Sequence, residues 1–128
     1  MRKSMKKFLS LLLAVTLCVA FSVTAFARYI NDPTLTNNLS ISGTQATMYS
    51  SVTADSSVTK IVITHVLQKD GKDVAGTSKS QTFYKSSASK QDTVTCSGSG
   101  TFRVKTTYKI TSPDGTDTHT KYSNTVNK

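Results

Sequence analysis

Beyond about residue 30 the chain alternates apolar and polar residues at a two-residue step, and no stretch repeats at helical spacing. Phe102 to Ile110 is the clearest case. Phe102, Val104, Thr106, Tyr108 and Ile110 share one side, while Arg103, Lys105, Thr107 and Lys109 share the other. One side then faces a core and the other faces water, as in an antiparallel sheet. Ser112-Pro113-Asp114-Gly115 closes this strand with a turn, because Pro presets φ at the second position and Gly suits the fourth. The chain is expected to return as a strand from Thr118 to Val126, with Thr120, Tyr122, Asn124 and Val126 on one side.

Upstream, Val58 to Lys69 predicts a strand with Ile61, Ile63, His65 and Leu67 on one side. Val62 and Val66 lie on the other side, which predicts a central strand covered on both faces. Lys69-Asp70-Gly71-Lys72 follows, and Asp-Gly is a strong hairpin turn. Gln45 to Val52 places Ala46, Met48, Ser50 and Val52 together, and Asn38 to Ser42 reads as a short opening strand around Leu39 and Ile41. Ser80 to Lys85 and Thr93 to Cys96 supply two more strands, joined through the polar run Ser86 to Lys90. A weak strand is expected around Asp73 to Thr77. Seven or eight short strands with frequent turns predict a β-sandwich or small barrel, and seven strands in about 100 residues is the immunoglobulin-like size. The expected fold is therefore all-β, an immunoglobulin-like antiparallel β-sandwich of about seven strands. Only the architecture is implied, since the Cys…Trp…Cys pattern of antibody domains is absent from the sequence.

The first 27 residues follow a different pattern. Arg2, Lys3, Lys6 and Lys7 precede an uncharged, strongly apolar stretch from Phe8 to Ala20, and Ala25-Phe26-Ala27 closes the segment. A basic start, an apolar middle and a small-x-small close are the parts of a secretory signal peptide. Residues 1–27 are thus expected to be removed, leaving residues 28–128 as a single domain. An uncleaved anchor would use the same residues, but Ser22, Thr24 and the Ala25-Phe26-Ala27 site dilute its last third. Lipid attachment at Cys18 is disfavoured by Leu17, which stands where that processing wants a small residue.

Processing changes the charge balance. The chain carries a net charge of +9; loss of four cations leaves twelve against seven aspartates, a net charge of +5. Such a domain attracts anionic polymers and lipid headgroups. Ser and Thr supply 34 of the 101 mature residues and Glu is absent, which removes strong helix formers and supports the all-β reading. Cys96 is the single mature cysteine, so no intrachain disulfide can form; it is expected to be a small buried apolar residue, with a reactive thiol or an intermolecular bridge as the alternative an odd cysteine leaves open.

The run Ser97-Gly98-Ser99-Gly100-Thr101-Phe102-Arg103-Val104-Lys105 resembles the G-T-Y-R-V-K segment of a group of small secreted β-sandwich proteins of unknown function from Gram-positive, clostridia-like bacteria. Thr59-Lys60-Ile61-Val62-Ile63 and Leu67-Gln68-Lys69 are similar to that group's T-K-I-x-I and L-Q-K segments. These are strand and turn patterns. The resemblance implies a fold and a secreted origin, and no chemistry. A Trp that often follows the group's Asp-Gly hairpin is missing here.

Candidate chemistry is sparse. His65, His119 and fifteen mature serines offer nominal serine-hydrolase combinations, but no G-x-S-x-G elbow occurs. His65, on the apolar side of its strand, is expected to be a hydrogen-bonded core histidine. Seven scattered aspartates without Glu do not suggest paired-carboxylate catalysis. Asp114, Asp117 and His119 fall short of a zinc or EF-hand pattern. No catalytic, cofactor or metal site is therefore expected. Arg103, Lys105 and Lys109 project from one strand face at steps of about 7 Å, with Lys60 or Lys121 as candidate extensions. This stripe is the candidate anionic-ligand surface; the alternative, which the pattern favours, is a solvated sheet face whose lysines discourage edge-to-edge aggregation. The expected function is a secreted, non-catalytic binding module of the extracellular space or cell envelope, contacting anionic cell-wall polymer or another extracellular protein. The alternative is a secreted effector, antimicrobial or inhibitory. Nucleic acid is not expected, because aromatics do not interleave the stripe. Neither is stable membrane insertion after signal cleavage.

Processing is directly testable. Intact-mass analysis of culture supernatant should find a chain that begins at Arg28. A secreted species retaining Met1, or a lipid-modified Cys18 in the membrane fraction, would contradict it.

Overall fold

A computed structural model describes residues 33–128; the signal-peptide reading of residues 1–27 lies outside the described residues. The described chain is all-β. Its strands are β1 (Thr34–Ser42), β2 (Gln45–Thr53), β3 (Lys60–Lys69), β4 (Lys72–Asp73), β5 (Lys79–Phe83), β6 (Ser87–Thr95), β7 (Thr101–Ser112), β8 (Gly115–Tyr122) and β9 (Val126–Asn127). Every pairing is antiparallel.

One sheet, A, has the order β1-β2-β6. In the other, B, β4 and β5 share one edge of β3, β7 takes the opposite edge, and β8 and β9 follow β7. The tight turns form where the sequence places them. Asp70 and Gly71 both take positive φ, +51° and +82°, as a two-residue turn between twisted strands requires. Ser112 pairs with Gly115 across Pro113-Asp114.

The inward faces of the two sheets share two apolar clusters. One gathers Leu39, Met48 and Val94 from sheet A with Leu67, Phe102 and Val104 from sheet B, and buries Cys96. The other gathers Val52 with Val58, Ile61, Ile63, Tyr108 and Ile110. Cys96 is a free, buried thiol as expected.

Several expectations need correction. The strand predicted from Thr118 to Val126 breaks after Tyr122. Ser123 offers its amide to the Val104 carbonyl, and its hydroxyl accepts from the Val104 amide at 2.7 Å. A side chain thus enters the ladder, and Val126 pairs with Phe102 while Tyr122 pairs with Lys105 on the opposite face. The polar run Ser86 to Lys90 is largely strand: β6 starts at Ser87, and its inward positions include Lys90 and Asp92, so apolar alternation does not mark it. The opening strand begins at Thr34 rather than Asn38. The weak strand around Asp73 to Thr77 shrinks to Lys72–Asp73. β3 is central, but Val62 and Val66 are only half-buried, and among the described residues no second layer covers that face.

Face assignment is tested on β7. Val104 is fully buried, so Val104→Asp should cost about 3–5 kcal/mol in urea unfolding by leaving an unpaired charge in the core. Thr107 stands on the outer face, and Thr107→Asp should change stability by about 0.5 kcal/mol or less.

Candidate functional site

A layer of polar side chains separates the two apolar clusters. In sheet A, Asn37, Ser50 and Lys90 stand opposite one another across β1, β2 and β6. In sheet B, Lys79, His65, Thr106 and Lys121 stand opposite one another across β5, β3, β7 and β8. Side chains directly opposite across a pair share a face, so both rows turn inward at one level.

The centre of this belt is a hydrogen-bonded chain. Asp92 Oδ2 lies 2.6 Å from His65 Nε2 and 2.9 Å from Lys90 Nζ. Ser50 Oγ lies 2.9 Å from His65 Nδ1 and 2.8 Å from Thr106 Oγ1, and Asn37 Nδ2 reaches Thr106 Oγ1 at 3.3 Å. Ser50, His65 and Thr106 are fully buried. Burial holds His65 below its ordinary pKa, although the Asp92 hydrogen bond pulls the other way. Asp92 is held below its ordinary value by its bonds to Lys90 and His65, against the opposing and larger single influence of its own burial.

Ionised Asp92 only accepts, so His65 donates from Nε2 and, being neutral, accepts at Nδ1. Ser50 must then donate to Nδ1, Thr106 to Ser50 and Asn37 to Thr106. Each proton has one place.

Ser50, His65 and Asp92 have the composition of a hydrolytic triad, yet the Ser50 hydroxyl has no exposed surface on which to meet a substrate. His65 is the hydrogen-bonded core histidine that its place in the alternation predicts. Sequence reasoning missed its partner Asp92, whose only signal is an Asp at an inward step of a serine-rich strand. Of the residues weighed for metal binding, Asp114 is exposed in the β7–β8 turn, while Asp117 and His119 alternate along the inward side of β8. Among the described residues no three His, Cys, Asp or Glu side chains cluster as a metal site would need.

The basic stripe forms on the outer face of sheet B. Arg103, Lys105 and Lys109 lie opposite Gln68, Val66 and Val62 of β3. Lys60, opposite Thr111, stands on the same face and extends the row. Lys121 does not, for it pairs with inward Thr106 and its Nζ donates to the Leu35 carbonyl at 2.7 Å. Arg103 is engaged within the face: Nε donates to Gln68 Oε1 at 2.8 Å, and its guanidinium lies 4.0 Å from the Tyr122 ring centre. Gln68 in turn donates to Asp73 at the sheet margin. Lys105, Lys109 and Lys60 rise from a lawn of threonines that includes Thr64, Thr107, Thr118 and Thr120.

The outer face of sheet A differs sharply. Its outward positions on β1, β2 and β6 carry Ser, Thr, Asn and Gln around Tyr49, with no charged side chain among the described residues. No helix in the described chain is long and apolar enough to cross a membrane. Compared with protein-family models, curated proteins and solved structures, the chain finds no match.

The belt makes stability pH-dependent. His65 has its folded pKa below the unfolded value of about 6.5, so the unfolded chain gains the proton first as pH falls. This contribution is complete above about 6.5 and declines as pH drops towards the folded value. Asp92 adds a second loss below its unfolded value of about 3.8. The urea midpoint of the natural chain should therefore fall between pH 7 and 5. His65→Gln should start lower at pH 7 and stay flatter over that interval; an equal slope in both proteins would contradict the assignment.

Proposed function

We propose that this chain is an exported, non-catalytic, immunoglobulin-like binding module that holds anionic cell-envelope polymer on the outer face of sheet B. The observation that carries the reading is the placement of Lys60, Arg103, Lys105 and Lys109 together on one open face. Its aspartate neighbour, Asp73, is confined to the margin and already bonded to Gln68. A linear polyanion presents charges at intervals, and a row of cations at steps of about 7 Å meets several of them at once. Threonine hydroxyls between the lysines add neutral donors and acceptors for phosphate or sugar oxygens.

The immunoglobulin-like assignment is supported by strand order. β1, β2 and β6 take positions A, B and E of such a sandwich, while β5, β3, β7 and β8 take C′, C, F and G. β4 and β9 are two-residue additions to sheet margins. Export is supported by the basic, apolar and small-residue pattern of residues 1–27 and by the resemblance to small secreted proteins of Gram-positive bacteria. The non-catalytic reading is supported by the burial of Ser50 and His65, which leaves only Asp92 of that trio partly exposed.

Sedimentation with purified cell walls tests the proposal. Binding should weaken steeply as salt rises, because attraction between exposed charges is screened over about 8 Å at physiological ionic strength. Lys105→Gln with Lys109→Gln should remove most binding and leave Tm within a few degrees, because exposed charges contribute little to stability. Arg103 is left in place, since its bonds to Gln68 and Tyr122 tie it to the fold. Lys72→Gln with Lys79→Gln, an equal loss of charge on β4 and β5, should bind as the natural domain does. Equal binding by both double variants, or none by the natural domain, would refute the reading.

A further inference from the structure

The outer face of sheet A ends in a cleft of about 490 Å³, formed where the β5–β6 connection passes β2 and β6. That volume lies within the range of small-ligand sites. Tyr49, Ser51, Thr53, Ser87 and Ser89 line it from the sheet, and Lys85 lines it from the connection. The connection is anchored at both ends of its short span: Phe83 packs against the apolar core, and the Ala54 amide donates to the Ser86 carbonyl at 2.9 Å. Lys85 is therefore set beside the cleft by a three-residue link whose ends are anchored.

The lining has a definite chemistry. Ser51 stands opposite Ser89, and Thr53 opposite Ser87, so four hydroxyls form a grid about 5 Å across the strands and about 7 Å along them. Tyr49 stands next to this grid, opposite Asn38 on one side and Gln91 on the other, and keeps 36% of its surface exposed. Among the described residues Lys85 is the cation of the lining, and none of them brings a carboxylate to the cleft.

We infer that this cleft binds a saccharide unit that carries one carboxylate. The hydroxyl grid and the flanking amides suit sugar hydroxyls, which both donate and accept. The Tyr49 ring offers an apolar surface with a polar edge, as the two faces of a pyranose require of a neighbour. Lys85 matches one acid group. Other occupants fit less well. A protein partner would bury a patch rich in Ser, which interface centres avoid. A nucleic acid would call for several cations, as phosphate binding does.

The site is on the sheet opposite the lysine row, so it stands or falls independently of the polyanion face. Amide-resolved NMR titration of the domain tests it with two probes. One is soluble, peptide-free glycan strand of alternating N-acetylglucosamine and N-acetylmuramic acid, with one carboxylate per disaccharide. The other is chitotetraose, which lacks the carboxylate. The strand should shift the amides of Tyr49, Ser51, Ser87 and Ser89 and bind at least fivefold more tightly than chitotetraose. Tyr49→Ala should weaken both probes at least tenfold. Lys85→Gln should remove the preference for the carboxylated strand while leaving chitotetraose binding unchanged. Both residues line an outer surface, and thermal melts should confirm that each variant is folded. Absence of binding by either probe, equal affinity for the two, shifts confined to β7, or a preference that survives Lys85→Gln would each overturn the assignment.

Discussion

The Asp92 carboxylate stands at the rim of the core with 23% of its side chain exposed, and on its inner side it calls for donors. Lys90 supplies one charged donor from the same strand, and His65 supplies the second from the opposite sheet. Because burial keeps His65 neutral, its other nitrogen has to receive a proton, and that need passes to Ser50, to Thr106 and to Asn37. Five strands thus answer to one anion. Sliding β2 by two residues against β3 would set Met48 or Val52 where Ser50 belongs and leave the imidazole without its donor. Apolar side chains tolerate exchange of one for another, whereas this chain of donors tolerates one register.

The same economy governs the sheet margins. β6 is an edge strand of sheet A, and its inward Lys90 and Asp92 make it a poor template for a further strand, because pairing errors would strand their charges. β1, the other edge, is closed by side chains of sheet B. Asn124 both donates to and accepts from the backbone of Leu39 at 3.0 Å, and Lys121 caps the Leu35 carbonyl. The break at Ser123, which frees Asn124 from the ladder, is what allows this clasp. An irregularity in β8 therefore serves to satisfy the exposed edge of β1.

Alternation made the inward residues of β2, β3 and β7 legible, and with them the apolar clusters and the place of His65. It also placed Arg103, Lys105 and Lys109 on a common outer face. What remained hidden shares one physical cause. Lys90 and Asp92 look like solvent-facing residues of a loop, because their burial depends on a histidine 27 residues from Asp92 in the sequence. Ser123 and Asn124 look like continuation of a strand, because their roles are set by Val104 and by Leu39, 85 residues from Asn124. The cleft over Tyr49 was invisible for the same reason, since Lys85 reaches it through the crossover between sheets. Local pattern reports which side of a strand is apolar; it does not report which distant strand completes a polar bond.

The belt also explains why the two outer faces can differ so much. Inward positions are committed to the clusters and the donor chain, so the alternate positions are released from any role in holding the sheets together. On sheet B they carry Lys60, Lys105 and Lys109 among threonines, and on sheet A uncharged hydroxyls and amides around Tyr49. The faces point away from each other across a core about 10 Å thick. One stretch of polymer lying flat cannot occupy both. On the two ligand readings proposed above, an anionic chain on the lysine face and an acidic sugar in the Tyr49 cleft would come from separate strands, or from one that turns back around the domain. Because the belt fixes the register between the sheets, the spacing of the two faces is fixed too. Under those proposals the domain would hold polymer segments a set distance apart, which is a different task from coating a single strand.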